Sequence, residues 1–328
     1  MRLLVLNASE VERLLPMREC IEVMAEALAA LARGQVHQPV RTMLHPPGAA
    51  GLLGLMPSYL SGERPAYGLK AVCVFHGNVA LGKDAHQGVV MLFSGETGEP
   101  LAVMNASAIT AIRTAAVSAV ATRLLARPDA GELAIVGSGV QARTHLEAIA
   151  CVRPLRRVRI ASRNPERARR FAGEVAALYP FPVEAVESTE AAVRGANIIV
   201  AATTSTEPVV RREWISPGAH LNAIGAYLAT TREIDSATVA DAALFVDQRE
   251  AALRMAGDYL IPLQEGVIAQ DHLRAEIGEV LTGAKPGRTH DQEITLFKSL
   301  GLAVEDLAAA EYLHRQARET GAGAWVEF

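Results

Sequence analysis

The stretch "AIVGSGVQA", residues 134–142, sets Gly137, Gly139 and Ala142 in a G-x-G-x-x-A pattern, where an apolar run meets the start of a helical pattern. Phosphate recognition needs that context. The first glycine makes a tight turn and the second lets backbone approach a pyrophosphate. The small third residue lets helix and strand pack closely, and the helix N-terminus attracts the anion. Gly137, Ser138, Gly139, Val140 and Gln141 are therefore candidate dinucleotide contacts. A free ribose 2′-hydroxyl is usually met by a carboxylate about twenty residues further on. That place holds Ser162, Arg163 and Asn164, with Arg167 one helical turn later and no acid. Guanidinium forks suit phosphate, so the pattern predicts NADPH over NADH. Thr203 and Thr204 close another apolar run, "NIIVAATT". In doubly wound sheets such strand ends line the ligand crevice, which makes both hydroxyls candidates for the nicotinamide side.

Three cations stand out before this region. Arg41 is one. Lys70 lies in "YGLKAVCVF", an otherwise apolar strand pattern, where a lysine is costly unless partnered. A desolvated lysine can lower its pKa and transfer a proton; an edge-strand lysine that discourages aggregation fits the same pattern. Arg113 sits in "ITAIRTAAVSAVATRLLA", residues 109–126, a helix pattern of apolar and small residues without glycine or proline. An arginine there calls for an anion. The nine histidines show no H-E-x-x-H pairing; His76 and His86 read as polar loop residues, and no metal site is expected.

The elements that must position these residues can be read from periodicity and punctuation. Residues 2–6 read as a strand, "SEVE" as a capping box of Ser9 with Glu12, and residues 17–33 as a helix stopped by Gly34. From Gln38 to Pro100, short apolar runs alternate with Gly, Pro and Asn turns, a strand-rich region. From Glu132 onward strand and helix patterns alternate, which argues for parallel, right-handed βαβ units in a doubly wound sheet. The stretch from Asp291 to Arg318 reads as helical. The fold class is thus α/β, a Rossmann-type parallel-sheet domain plus a smaller α/β domain.

Half of the 328 residues are hydrophobic, enough for two domains with real cores. The net charge is −4 with acidic and basic residues interspersed, so nothing suggests a nucleic-acid footprint, which would need a basic face. No uninterrupted apolar run approaches the ~20 residues of a membrane helix, and "LLVL" is too short for a signal peptide. Cys20, Cys73 and Cys151 are widely spaced and fit a reducing cytoplasm.

The stretches "ITAIRTAAVSAVAT", "IVGSGVQA", "SPGAHLNAIGA" and "EITLFKSLGLAVEDLAAA" resemble the ornithine cyclodeaminase/mu-crystallin family, from residue 1 to about residue 315. The resemblance implies a homodimer. Residues 1–114, completed by a C-terminal helix within 303–328, would form the substrate and dimerisation domain; residues 115–302 would form the dinucleotide-binding domain, with the active site in the cleft between them. It also implies that Arg41 and Lys70 hold a substrate carboxylate. Arg113 would face the cofactor and the active site, and His86, Ile224 and Ser299 would approach the cofactor. Where cyclodeaminases carry an aspartate that handles the amine proton, this chain has Tyr227; where they carry an acid for NAD, it has "SRN". Ala85 and Asn105-Ala106 also depart from the usual Ser or Thr and Asp-Gly. The mu-crystallin-like branch is therefore the nearer one. The expected activity is NADPH-dependent reduction of small cyclic ketimine acids, such as pyrroline-2-carboxylate or piperideine-2-carboxylate. The alternatives are alanine-dehydrogenase-like reductive amination, ornithine cyclodeamination, and NADPH-dependent binding of a small ligand without turnover.

Overall fold

The chain begins with β1 (Arg2–Leu6) and turns into α1 (Ala8–Leu14) in a computed structural model that describes residues 2–328. The side chains of His76 and Val79 lie outside the described residues, and with them the loop role read for His76. Asn7 caps α1. Its side chain accepts from the Glu10 amide at 3.0 Å, and the Glu10 carboxylate accepts from the Asn7 amide at 2.8 Å. The capping box thus falls two residues before the Ser9–Glu12 pair, because Asn caps as well as Ser and lets the helix start sooner.

Next come α2 (Met17–Ala32), β2 (Val36–His37), β3 (Thr42–Leu44), β4 (Leu52–Leu60), β5 (Ala66–Val74), β6 (His86–Ser94), β7 (Pro100–Asn105) and α3 (Ala106–Leu125). Asn105 caps α3, its side chain accepting from the Ala108 amide at 2.9 Å. By length and composition α3 could cross a membrane, yet most of it is buried within the fold. Arg113 and Arg123 interrupt it, so no uninterrupted run reveals it in the sequence. The chain divides into two compact units: one runs up to Thr114 and resumes at Gly301–Phe328, the other is Ala115–Leu300.

The second unit contains β8 (Glu132–Val136), α4 (Val140–Val152), β9 (Arg157–Ala161), α5 (Pro165–Val175), β10 (Val183–Ala185), α6 (Thr189–Val193), β11 (Ile198–Ala201) and β12 (His220–Ala223). It continues through α7 (Ser236–Asp241), β13 (Ala243–Val246), α8 (Arg249–Met255), α9 (Gly257–Gln264), β14 (Leu273–Glu276), α10 (Ile277–Leu281) and β15 (Thr295–Lys298). Its eight strands lie in the order β10-β9-β8-β11-β12-β15-β13-β14, and every neighbouring pair is parallel. This is the doubly wound sheet that the alternation predicts. One reading fails here. Thr295–Lys298, taken as helical, is a central strand between β12 and β13. All four of its residues are buried, and a short run buried on both faces has no periodicity to separate strand from helix.

The chain then returns to the first unit as α11 (Ala303–Thr320) and β16 (Ala324–Glu327). That unit's sheet runs β16-β1-β7-β6-β5-β4-β2, with β3 also paired to β4. Helix α11 packs on β4 to β7, over a face that carries Met56, Gly68, Lys70, Val72, Val90, Leu92 and Met104. The alternate residues point to the opposite face. Pro57, Leu69, Met91, Val103 and Val5 form a transverse row there, each the register partner of the next. Tyr59 and Tyr67 pack beside it, ring centroids 4.7 Å apart and tilted by 40°, and Val5 and Tyr67 are 38% and 50% exposed.

Candidate active site

Lys70 occupies the middle of β5, between Met56 of β4 and Val90 of β6. With ladders on both sides and only 4% exposure, it is not an edge-strand lysine. Its Nζ donates to Thr110 Oγ1 at 2.6 Å and to Asp306 Oδ1 at 3.3 Å. Thr110 Oγ1 in turn donates to the Ala106 carbonyl at 2.6 Å. Arg113 follows Thr110 by three residues, which puts both on one face of α3. Its Nε donates to the same Asp306 oxygen at 3.1 Å, and its Nη1 to Glu305 Oε2 at 2.6 Å. Both carboxylates sit in the first turn of α11, where the positive end of the helix dipole favours them. Arg113 therefore meets its anions within its own unit, as side chains of the C-terminal helix.

Arg41 joins this cluster through the backbone, its Nη2 donating to the Gly301 carbonyl at 2.6 Å. Gly301 has a φ of +77°, and a Cβ there would come within 2.5 Å of Arg113 Nη1. A side chain at position 301 would thus strain the backbone and push on the guanidinium together. Burial lowers the Lys70 pKa to about 8; Asp306 opposes the shift, and the nearby charges of Arg113 and Arg41 add to it. Lys70 and Arg113 thus share Asp306, Arg113 also pairs with Glu305, and half-buried Arg41 lies beside them through Gly301.

The second unit presents a different surface. Gly137 has a φ of +127°, and a Cβ there would lie 2.4 Å from the Ala202 carbonyl oxygen, so only glycine fits the turn between β8 and α4. Gly139 is the N-cap of α4, has no side-chain cap, and faces open space. The exposed first turn of α4, Val140 with half-buried Gln141, thus offers backbone amides to an anion. Ala142 is fully buried against the sheet. The Ser138 and Ser162 hydroxyls lie 3.0 Å apart and link the ends of β8 and β9. Asn164 caps α5 through the Arg167 amide at 3.2 Å. Arg163 and Arg167 are exposed, and neither makes an ion pair among the described residues. The open cradle and the bare helix N-terminus fit the pyrophosphate of a dinucleotide.

A buried carboxylate organises the neighbouring strand ends. Glu233, fully buried, accepts from the Thr203 amide at 2.6 Å, the Thr203 hydroxyl at 2.7 Å, the Gly225 amide at 2.5 Å and the Ala226 amide at 3.3 Å. Burial raises its pKa and Asp258 adds to the rise, while Lys298 and the Thr203 donors oppose it. Lys298 pairs with Asp258 at 3.1 Å, both fully enclosed, and Asp258 also accepts from the Glu233 and Ile234 amides at 2.8 and 3.0 Å. The Thr203 hydroxyl thus already bonds within the protein; Thr204 is exposed. Ile224 and Tyr227 are half-buried beyond β12, and buried Ser299 follows β15, its amide donating to the Ala223 carbonyl at 3.1 Å. His86 is exposed at the start of β6, and its carbonyl accepts from Ser107.

The structure therefore brings together Arg41, Lys70 and Arg113 in one unit. In the other it gathers Gly137–Gln141, Ser162–Asn164, Arg167, Thr203, Thr204, Ile224, Tyr227 and Ser299 around the ends of parallel strands. Sequence reasoning missed Thr110, Glu305, Asp306, Glu233, Asp258 and Lys298. Only the adjacent acids in "LAVEDLAAA" carried a signal, a charge pair inside an apolar helix start.

The description "Ornithine cyclodeaminase/mu-crystallin family" attaches to a sequence profile that matches residues 1–321. A Delta(1)-pyrroline-2-carboxylate reductase of Bacillus cereus is 38% identical over 327 residues, 99% of this chain and 100% of the relative. The ketimine reductase mu-crystallin of Mus musculus is 42% identical over 291 residues, 88% of each chain. Among solved structures, the Delta(1)-pyrroline-2-carboxylate reductase of Thermococcus litoralis, in complex with NADH and L-proline, superposes with a TM-score of 0.95 at 40% identity, covering 98% of this chain and 100% of that one.

Proposed function

This chain belongs to the ornithine cyclodeaminase/mu-crystallin family, and we propose that it reduces the C=N bond of small cyclic ketimine carboxylic acids with NADPH, giving cyclic amino acids. The observation that carries the reading is the cluster around Lys70. A buried ammonium and a buried guanidinium share one carboxylate, with a second guanidinium beside them, a cationic setting that suits a substrate carboxylate. Arg41 and Lys70 hold that carboxylate by charge-assisted hydrogen bonds. With its pKa brought down to about 8, the Lys70 ammonium is a competent acid near neutral pH and gives a proton toward the imine nitrogen. Protonation makes the imine carbon electrophilic.

The residues of the α4 cradle, Gly137 to Gln141, hold the pyrophosphate, while Thr203, Thr204, Ile224 and Ser299 line the nicotinamide side. When bound, the coenzyme supplies hydride to the imine carbon. Exposed Arg163 and Arg167, with no acid at Ser162–Asn164, support the 2′-phosphorylated form; the Thermococcus litoralis relative holds NADH, so NADH is the competitor to measure. Tyr227 stands where cyclodeamination needs a carboxylate. With an unperturbed pKa near 10, tyrosine is a poor base near neutral pH.

The apolar row on the open face of the first unit's sheet supports a homodimer joined through that face. The three cysteines, none in a disulfide among the described residues, suit a reducing cytoplasm. The test is coenzyme oxidation with pyrroline-2-carboxylate, piperideine-2-carboxylate, and pyruvate with an amine, each with NADPH and NADH. Cyclic-imine turnover with NADPH in preference is expected. Thermal shifts with those ligands but no turnover would replace the enzyme reading with a binding one.

A further inference from the structure

Lys70 has three N–H donors. One is taken by Thr110 Oγ1 and one by Asp306 Oδ1; the third has no partner among the described residues. Thr110 spends its own hydroxyl proton on the Ala106 carbonyl, so toward Lys70 it can only accept. Asp306 is 1% exposed, its Oδ1 is shared by Lys70 and Arg113, and its Oδ2 has no hydrogen-bond partner among the described residues. An enclosed carboxylate of this kind acts through the ammonium it touches. The charged groups around Lys70 are Asp306 from α11, Arg113 from α3 and Arg41 from the segment before β3; its neighbours on β4 and β6 are Met56 and Val90. Of these, Asp306 alone favours the ammonium over the amine.

We propose that Asp306 and Thr110 are positioning residues for Lys70: together they fix its ammonium, keep it cationic against two guanidiniums, and leave its third N–H for the substrate. The inference rests on the reductase reading for what Lys70 then does, but not for its charge. Asp306 acts through charge and Thr110 through direction, so their variants differ in kind. Glu305 keeps an independent grip on Arg113, so loss of Asp306 does not free that arginine.

The test uses the small number of lysines. Lys70 shares the chain only with Lys83, Lys285 and Lys298, so lysine labelled at the side-chain carbon and nitrogen gives four NMR signals, and Lys70→Arg assigns one. The full-length protein is titrated without coenzyme, and kcat and KM for pyrroline-2-carboxylate reduction are followed over the same pH range. In Asp306→Asn the Lys70 midpoint should fall by about one pH unit or more, and the alkaline limb of kcat/KM should move with it. Thr110→Val should lower kcat about tenfold with a much smaller midpoint change, and Thr110→Ser should restore it. If Asp306→Asn does not fold, Asp306→Glu and the Thr110 pair carry the test; wild-type midpoints and rates in both would overturn the proposal. An unmoved midpoint in folded Asp306→Asn overturns it as well. If the midpoint moves but the wild type reduces no cyclic imine, the charge assignment stands and the reductase reading falls.

Discussion

Glu233 is the place where one substitution should be felt across the strand ends of the second unit. Its two oxygens receive three backbone amides, from Thr203, Gly225 and Ala226, and one hydroxyl, from Thr203. Glu233→Ala strips the partner from all four donors and leaves a void where a fully buried side chain stood. An orphaned buried amide costs about 1–3 kcal/mol. Two of the three amides are only partly buried, and water admitted by the void recovers part of the loss, so the net cost comes to about 3 kcal/mol. For a unit of this size, roughly 2–4 °C per kcal/mol converts that into a fall in Tm of roughly 6–12 °C. Glu233→Gln keeps one acceptor oxygen but turns an NH2 group toward amides that also donate. It should show about half that shift.

Thermal unfolding followed by circular dichroism measures both variants, with coenzyme affinity measured alongside. Because Thr203 and the Gly225–Tyr227 segment hang from this carboxylate, coenzyme binding should weaken in the same order, Ala beyond Gln. A Glu233→Ala protein whose Tm stays within about 2 °C of wild type, less than 1 kcal/mol on that scale, would refute the idea that the carboxylate ties these strand ends together.

Arg163→Asp should raise the KM for NADPH tenfold or more and shift preference toward NADH; a wild type that already prefers NADH in kcat/KM would undo the assignment of the Ser162–Asn164 segment. Arg41→Ala removes a charge-assisted contact worth about 2 kcal/mol, so kcat/KM for a carboxylated imine should fall roughly 30-fold while coenzyme affinity holds; unchanged turnover removes Arg41 from the substrate site. Ornithine should yield no proline, and robust proline formation would sink the Tyr227 argument. Met91→Asp, in the middle of the open apolar row, should give a monomer by sedimentation velocity; an intact dimer would move the interface elsewhere.

What the sequence disclosed follows from the range of the interactions involved. The glycine turn between β8 and α4 was legible because its determinants are local: Gly137 must turn with positive φ, Gly139 must leave room, and Ala142 must let α4 approach the sheet, all within six residues. The cap of α1 is local too, yet Asn7 was passed over for Ser9 because both residues satisfy the same short-range rule. The strand Thr295–Lys298 was misread because enclosure on both faces erases the periodicity that distinguishes strand from helix. The charge networks stayed hidden for a different reason. Lys70 finds Thr110 40 residues away and Asp306 236 residues away, and Glu233 finds Thr203 30 residues back. A lysine in an apolar strand shows that a partner must exist, because an unpaired buried charge is too costly. It does not show which of 36 acidic residues the fold will deliver.

That same cost ties stability to function in the first unit. The folded pKa of Lys70, about 8, lies below its ordinary value of 10.5. Between those values the unfolded chain binds the proton and the folded chain does not, so this group's contribution to stability rises with pH across that window and is least favourable below it. At neutral pH the protein therefore holds an ammonium that burial and two nearby guanidiniums disfavour. A well-packed apolar side chain at position 70 would be easier to bury. The arrangement makes physical sense when a carboxylate completes it. On the proposed reading, a substrate carboxylate held by Lys70 and Arg41 would move the Lys70 pKa back upward and relieve part of that cost, which would then appear as affinity for an anionic substrate.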